Sequence, residues 1–166
     1  MFQVVIRKAI PGEGRRLSEI ALAAKAHWGY PASWLRTWEP VLRIGEGYLL
    51  RHLVLVAERA GTAIGFCALE DHRDRWVLEH LWVDPPWHGR GVGRRLCTQA
   101  LDLVRSLRPG VVVIHSDPHA AGFYVRMGAR QTGALPAPIE GDPGRQIPVF
   151  EIEILGGSSG GSLHRP

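Results

Sequence analysis

"VDPPWHGRGVGRRL" (residues 83–96) gathers three glycines, two prolines and three arginines between an apolar run and a helical pattern. The run before it, "RWVLEHLWVD" (75–84), is nearly all apolar or aromatic, as in a strand covered on both faces. After it, Val92, Leu96, Ala100, Leu103, Val104 and Leu107 recur at helical spacing. Glycines let backbone N–H groups converge, and a helix start turns its free N–H groups and positive end toward the same spot. Arg90, Arg94 and Arg95 add donors suited to pyrophosphate. The segment reads as a strand–turn–helix that holds a phosphate.

Two common phosphate motifs fail here. A Walker loop needs glycine and lysine where Arg94 and Arg95 follow Gly89. The dinucleotide fingerprint fails in both frames, because Arg94 and Leu96 occupy its third glycine position. Asp117, at the end of the next strand, imitates the ribose-binding acid of that fold. "PPWH" nevertheless separates the strand from the first glycine, where the dinucleotide fold turns tightly.

Working outward, "FQVVIRKA" (2–9) reads as a first strand. A helix opened by Pro11 follows, with Leu17, Ile20, Leu22 and Ala24 on its apolar face. "WGYPASWLRTWEPVLR" (28–43) suits a second helix that begins at Pro31 and is kinked or ended by Pro40. "HLVLVAER" and "AIGFCALE" flank the turn "AGT" (60–62) as a hairpin. "VVVIHSD" (111–117) is a buried strand, and "PHAAGFYVRMG" (118–128) a short helix. "ARQTGALP" and "PVFEIEIL" close the chain as two strands around the loop "APIEGDPGRQI". The mixture is α/β or α+β. "GGSSGGSLHRP" (156–166) reads as a disordered, linker-like tail.

The 166 residues suit one domain, and 45% apolar with 22% charged residues can bury a core. Net charge +4 comes almost wholly from arginine, since Lys8 and Lys25 are the only lysines. The arginines are scattered, with no basic stripe interleaved with aromatics, so nucleic acid is not an expected partner. Cys67 and Cys97 lie singly in apolar patterns, which suits a reducing cytoplasm. The start lacks a signal-peptide core, and no apolar run reaches the roughly 18 residues of a membrane span. A soluble cytoplasmic protein is expected.

"LWVDPPWHGRGVGRRL" resembles the acetyl-CoA signature of the GNAT acyltransferase superfamily, Val-x-Pro followed by Arg/Gln-x-x-Gly-x-Gly/Ala and a helix. His88 stands where that pattern prefers Arg or Gln, and Gly91 and Gly93 match its last two glycines. Downstream, "HAAGFYVRMGA" is similar to the family's Asn-x-x-Ala-x-x-Phe-Tyr-x-x-x-Gly-Phe, with His119 for Asn and Ala129 for the final aromatic. The resemblance covers residues 2–155. It implies a GNAT fold, with helices flanking a mixed, mostly antiparallel sheet whose two central parallel strands splay apart. Pantetheine would lie in the splay on main-chain groups of Leu81, Trp82 and Val83, with pyrophosphate on His88, Gly89, Arg90, Gly91, Val92, Gly93 and Arg94. His119 and Phe123 belong to the same implied acetyl-CoA site, although Phe123 also suits simple packing. The implied reaction is acetyl transfer to a primary amine, on a small molecule first and a peptide or protein N-terminus second. A non-catalytic acyl-CoA sensor is the rival. A homodimer is compatible with either.

Amine acylation needs a neutral amine and a proton for the departing thiolate. Glu79 is the carboxylate on the strand leading into the motif, and strict alternation puts it on one face with Leu81 and Val83, with His80 and Trp82 opposite. Glu79 is the candidate base and His80 the second; an ion-paired Glu79 with no side-chain base is the remaining alternative. Tyr124 matches the tyrosine that resemblance implies as proton donor to the thiolate, a core tyrosine being the alternative. Trp28, Tyr30, Trp34 and Trp38 either pack as core or line an acceptor pocket that favours an aromatic or cationic amine. The loop carrying Glu140, Asp142 and Arg145 could close over that pocket. The histidines and aspartate of "HSDPH" (115–119) are too close along a strand end to converge on a metal. Cys97, in an apolar helical setting, reads as a core thiol.

Overall fold

The β-branched and aromatic runs pair into one seven-stranded sheet, in a computed structural model that describes residues 3–157. The expected tail thus lies outside the described residues save for Gly156 and Gly157. The strands are β1 (Val5–Lys8), β2 (Leu53–Arg59), β3 (Thr62–Asp71), β4 (Trp76–Val83), β5 (Gly110–His115), β6 (Arg130–Pro136) and β7 (Gln146–Ile154). Their order is β1-β2-β3-β4-β5-β7-β6, antiparallel throughout except for β4 and β5. The β2–β3 hairpin turns through Ala60 (φ 49°) and Gly61 (φ 77°), two positive values that match the twist of the paired strands.

Each face of the sheet carries its own core. Helix α4 (Val92–Leu107) buries Val92, Leu96, Cys97, Ala100, Leu101 and Val104, a stripe at 3.6-residue spacing. That stripe meets Leu55, Cys67, Leu69, Leu78, Val112 and Ile114 from the strands. A fully buried leucine such as Leu96 contributes about 1.5–3 kcal/mol. On the opposite face, α1 (Gly14–His27) sets Leu17, Ile20 and Ala21 against Val54, Val56, Phe66 and Ala68. Leu22, expected on that apolar face, is only half-buried, and Ala21 takes its place.

Helix α2 (Ala32–Leu42) begins after Pro31 as expected, and Pro40 sits in its last turn, two residues before the end. A further helix, α3 (Glu46–Arg51), has no counterpart in the sequence reading. It is one and a half turns long and contains Gly47, so local propensity hides it. The "PHAAGFYVRMG" helix divides into a 3₁₀ turn (Pro118–Ala120) and α5 (Ala121–Arg126).

Two irregularities of β4 make the site. Pairing with β5 is confined to Trp76↔Val112 and Val77↔Val113, after which the two parallel strands diverge. Pairing with β3 passes from Leu69↔Leu78 to Ala68↔His80, so Glu79 is one extra residue, a β-bulge. The bulge breaks the strict alternation expected for this strand. Leu78, Leu81 and Val83 pack toward α4, while Glu79 turns toward Glu70, His52 and His72 on the α1 side. Glu79 therefore does not share the face of Leu81 and Val83, as uninterrupted pleating would require.

Candidate active site

The divergence of β4 and β5 opens a cleft of about 800 Å³. Gly89, Gly91, Val92, Gly93 and Arg94 line it at the start of α4, Glu79, His115 and Asp117 line it along the strands, and Trp28 joins the lining from the end of α1. Gly91 holds φ +78° at the N-cap of α4, a left-handed conformation that favours glycine. No side chain caps this helix, and its first bond runs from Arg95 N–H to Gly91 O at 3.1 Å. The N–H groups of Val92, Gly93 and Arg94 therefore have no helical acceptor and are free for an anion. A Cβ at Gly93 would come within 3.6 Å of Val83 Cγ2 and 3.8 Å of Phe123 Cε2. Glycine at 93 leaves that space between β4 and α5 unfilled, beside the guanidinium groups of Arg94 and Arg126, which also line the cleft. These features fit a long phosphorylated thioester: a channel for its arm and a donor cluster at the mouth. Arg90 is not part of the wall; its guanidinium lies over Trp87, 5.2 Å from the ring centroid.

Glu79 opens onto the cleft and keeps solvent access there, while the strands around it enclose part of its side chain. Burial, reinforced by the nearby Glu70 charge, raises its carboxyl above the ordinary range. His80 points away from the cleft into the α1-side core. Its Nδ1 accepts from Trp82 Nε1–H at 3.1 Å, and burial pushes its pKa down to about 4, so the ring is neutral near pH 7. Tyr124 lines the cleft with its ring packed against Phe123 and Phe150. Burial first, then nearby acidic groups, raises its phenol well above the usual value, so it stays protonated and able to donate.

Residues 51–128, which carry both motifs, match the acetyltransferase (GNAT) domain family. These residues form a GNAT acetyltransferase domain. A curated relative, the L-methionine sulfoximine/L-methionine sulfone acetyltransferase of Salmonella typhimurium, is 30% identical over 99 residues. That match covers 51% of this chain and 58% of the relative. A GCN5-related N-acetyltransferase from Rhodopseudomonas palustris superposes with TM-score 0.75 at 18% identity, over 93% of this chain and 98% of that one. The structure of yncA from Salmonella typhimurium with acetyl-CoA gives 0.68 at 20%, over 95% and 97%.

Two of the departures from the family pattern are histidines, His88 and His119, and both lie against one tryptophan. The Trp28 ring stacks on His119 at 5.0 Å and 6°, and faces His88 at 6.4 Å and 27°. His88 Nε2 also lies 2.6 Å from Val83 O, which requires the Nε2–H tautomer and engages a carbonyl expected to meet pantetheine. Trp28 thus roofs the cleft between the two motifs. Tyr30 and Trp34 do not line it. Tyr30 donates to Asp117 at 3.0 Å, and Trp34 Nε1–H donates to Glu140 O at 2.8 Å, which ties the α2 segment to the β6–β7 loop.

The sequence alone assigns no role to Lys25, and Asp117 stands out there only as an imitation of a ribose-binding acid and as the aspartate of "HSDPH". Their ion pair, Nζ to Oδ2 at 2.5 Å, is buried beside the cleft, with side-chain exposures of 10% and 6%. The ammonium also lies 4.1 Å from the Trp38 ring centroid and 5.0 Å from that of Tyr30. Asp117 caps the following 3₁₀ turn by accepting from His119 N–H at 2.9 Å. Burial acts against the Asp117 charge, but Lys25, His119 N–H and Tyr30 outweigh it and hold the carboxyl below the usual range. Helix α1 is thereby fastened to the segment leading into Tyr124. Aromatic residues at 28–38 were the one sequence signal of this node. Among the described residues, no group of three or more His, Cys, Asp or Glu side chains could hold a metal ion, and no helix is long and apolar enough to cross a membrane.

Proposed function

We propose that this protein is an N-acetyltransferase that moves the acetyl group of acetyl-CoA to a primary amine of a small molecule. The observation that carries the reading is the cleft itself, with uncapped helical N–H groups and the Glu79 carboxylate both in its walls. Acetyl-CoA supplies an acyl group already activated as a thioester. The chain's own residues do the rest. The N–H groups of residues 92–94 and Arg94 bind pyrophosphate, and the walls of Leu81, Val83 and Phe123 exclude water from the arm. Glu79 takes a proton from the arriving ammonium, directly or through a water. Tyr124 donates to sulfur as the C–S bond breaks. The Salmonella relative, named for two small molecules, favours a small-molecule acceptor. The free, buried thiols of Cys67 and Cys97 suit a cytoplasmic setting, and nucleic acid and membrane have no part in the reading.

The test is an amine panel, with small amines and N-terminal peptides as separate arms, read by free-thiol release from acetyl-CoA. Release that depends on a small amine supports the proposal. Release with peptides alone moves the acceptor to protein N-termini, and tight acetyl-CoA binding with no acceptor-dependent release makes the chain a sensor.

A further inference from the structure

Acetylation of an ammonium has a proton balance that one base used once does not meet. The overall change is R–NH₃⁺ + CH₃CO–S–CoA → R–NH–COCH₃ + HS–CoA + H⁺. The N–C bond forms, the C–S bond breaks, nitrogen sheds two protons and sulfur gains one. The first proton must leave before attack, because an ammonium has no lone pair. The second must leave as the amide forms, when the same nitrogen would otherwise carry a positive charge and depart again. Glu79 and Tyr124 cover the first loss and the gain at sulfur.

The strand register puts one more titratable side chain at this point. The parallel ladder ends at Val77↔Val113, and two residues further along each strand stand Glu79 and His115. Along β5, Val112 and Ile114 pack toward α4, so Val113 and His115 take the other face, as does Asp117, which reaches Lys25 of α1. The Glu79 bulge turns its carboxylate to that same α1 side. Both side chains line the cleft, and the imidazole bears electrostatically on the carboxylate. They flank the opening of the splay on the face from which an acceptor would reach the thioester.

We propose that His115 is a second proton acceptor of the acetyl transfer, taking the proton that nitrogen loses as the amide forms, while Glu79 takes the one lost before attack. This rests on the acetyltransferase reading above. An imidazole is suited to the task because a ring nitrogen can accept the proton and pass it on to solvent each turnover. His115 is exposed at the strand end, so solvent reaches it. The titratable and charged groups that share the cleft with it are Glu79 on β4, Asp117 and His119 after β5, and Tyr124 and Arg126 on α5, and Glu70, His52 and His72 act electrostatically on Glu79. From β7 its paired neighbour is the uncharged Val149.

The test uses two acceptors, an alkylamine that arrives as the ammonium and a hydrazide that arrives neutral at pH 7. His115→Ala is expected to lower kcat about 10²-fold with both, with little change in KM for acetyl-CoA, and added imidazole should restore part of the rate. Glu79→Gln should lose rate chiefly with the alkylamine. His115→Gln, which keeps a polar side chain of similar reach, should match the alanine variant in rate but resist rescue, because its side chain fills the space imidazole needs; partial rescue is expected only for alanine. A His115→Ala rate within about threefold of the parent, a loss confined to KM, or no imidazole rescue in a folded variant would overturn the assignment while the parent's turnover leaves the acetyltransferase reading intact. A parent that turns over no amine at all overturns both.

Discussion

Replacing Asp117 with alanine deprives three donors of their acceptor at once: Lys25 Nζ at 2.5 Å, Tyr30 OH at 3.0 Å and His119 N–H at 2.9 Å. The lysine cannot rehydrate where it stands, since its side chain is 10% exposed and rings of Trp38 and Tyr30 surround it. Breaking a buried pair by deleting one partner costs about 3–5 kcal/mol, most of it the stranded charge. For a domain of this size each kcal/mol moves Tm by about 2–4 °C, so a fall of about 6–20 °C is expected at pH 7. The double variant Lys25→Met/Asp117→Asn, which removes both charges and keeps the cap acceptor, should recover most of that loss. The pH dependence carries a sign. The Asp117 carboxyl is held below its unfolded value, so its contribution is present above an unfolded pKa of about 3.9 and fades as pH falls through the folded value. The gap between parent and Asp117→Ala should therefore narrow in strong acid. Thermal denaturation followed by circular dichroism, at pH 7 and at descending pH, measures all of this. A drop smaller than about 3 °C at pH 7 would refute the claim that the node fastens α1 to the segment before Tyr124.

Gly91→Val and Gly61→Val make a matched pair, since the φ angles are +78° and +77° and a Cβ meets nothing within 4 Å at either site. Both should cost about 1–2 kcal/mol of stability, but only Gly91→Val should weaken acetyl-CoA binding, by tenfold or more in calorimetry; equal affinities would remove residues 89–93 from the site. Tyr124→Phe keeps the ring and deletes the donor, so acetyl-CoA affinity should hold while kcat falls about 10²–10⁴-fold; a loss well under that range makes Tyr124 a packing residue. Glu79→Gln should cut turnover of alkylamines and abolish an acidic limb lying above the ordinary carboxylate range. Because folding raises the Glu79 pKa, its contribution to stability is full below the unfolded pKa and lost as pH rises through the folded one, so Glu79→Gln should not lower Tm at pH 7. An unchanged acidic limb in that variant would place the base elsewhere.

Much of the architecture is legible along the chain because burial on one face imposes a local period. The α4 stripe from Val92 to Val104, the β2–β3 hairpin around Gly61 and the glycines before α4 each follow from neighbours within a few residues. The same holds for the two motifs whose likeness to a known family implied a splayed sheet, and the short β4–β5 ladder has that form. What the sequence could not determine is where periodicity stops. Uninterrupted alternation put Glu79 beside Leu81 and Val83, and only pairing with β3 decided that one residue of β4 is left over and turned to the other face. Lys25 and Asp117 are 92 positions apart, and the contact that joins them arises from packing α1 against the end of β5. Trp28 looked like core or pocket; its place between His88 and His119 depends on three segments arriving together. Local spacing reports which face of an element is buried, and tertiary packing alone decides which distant side chains meet there.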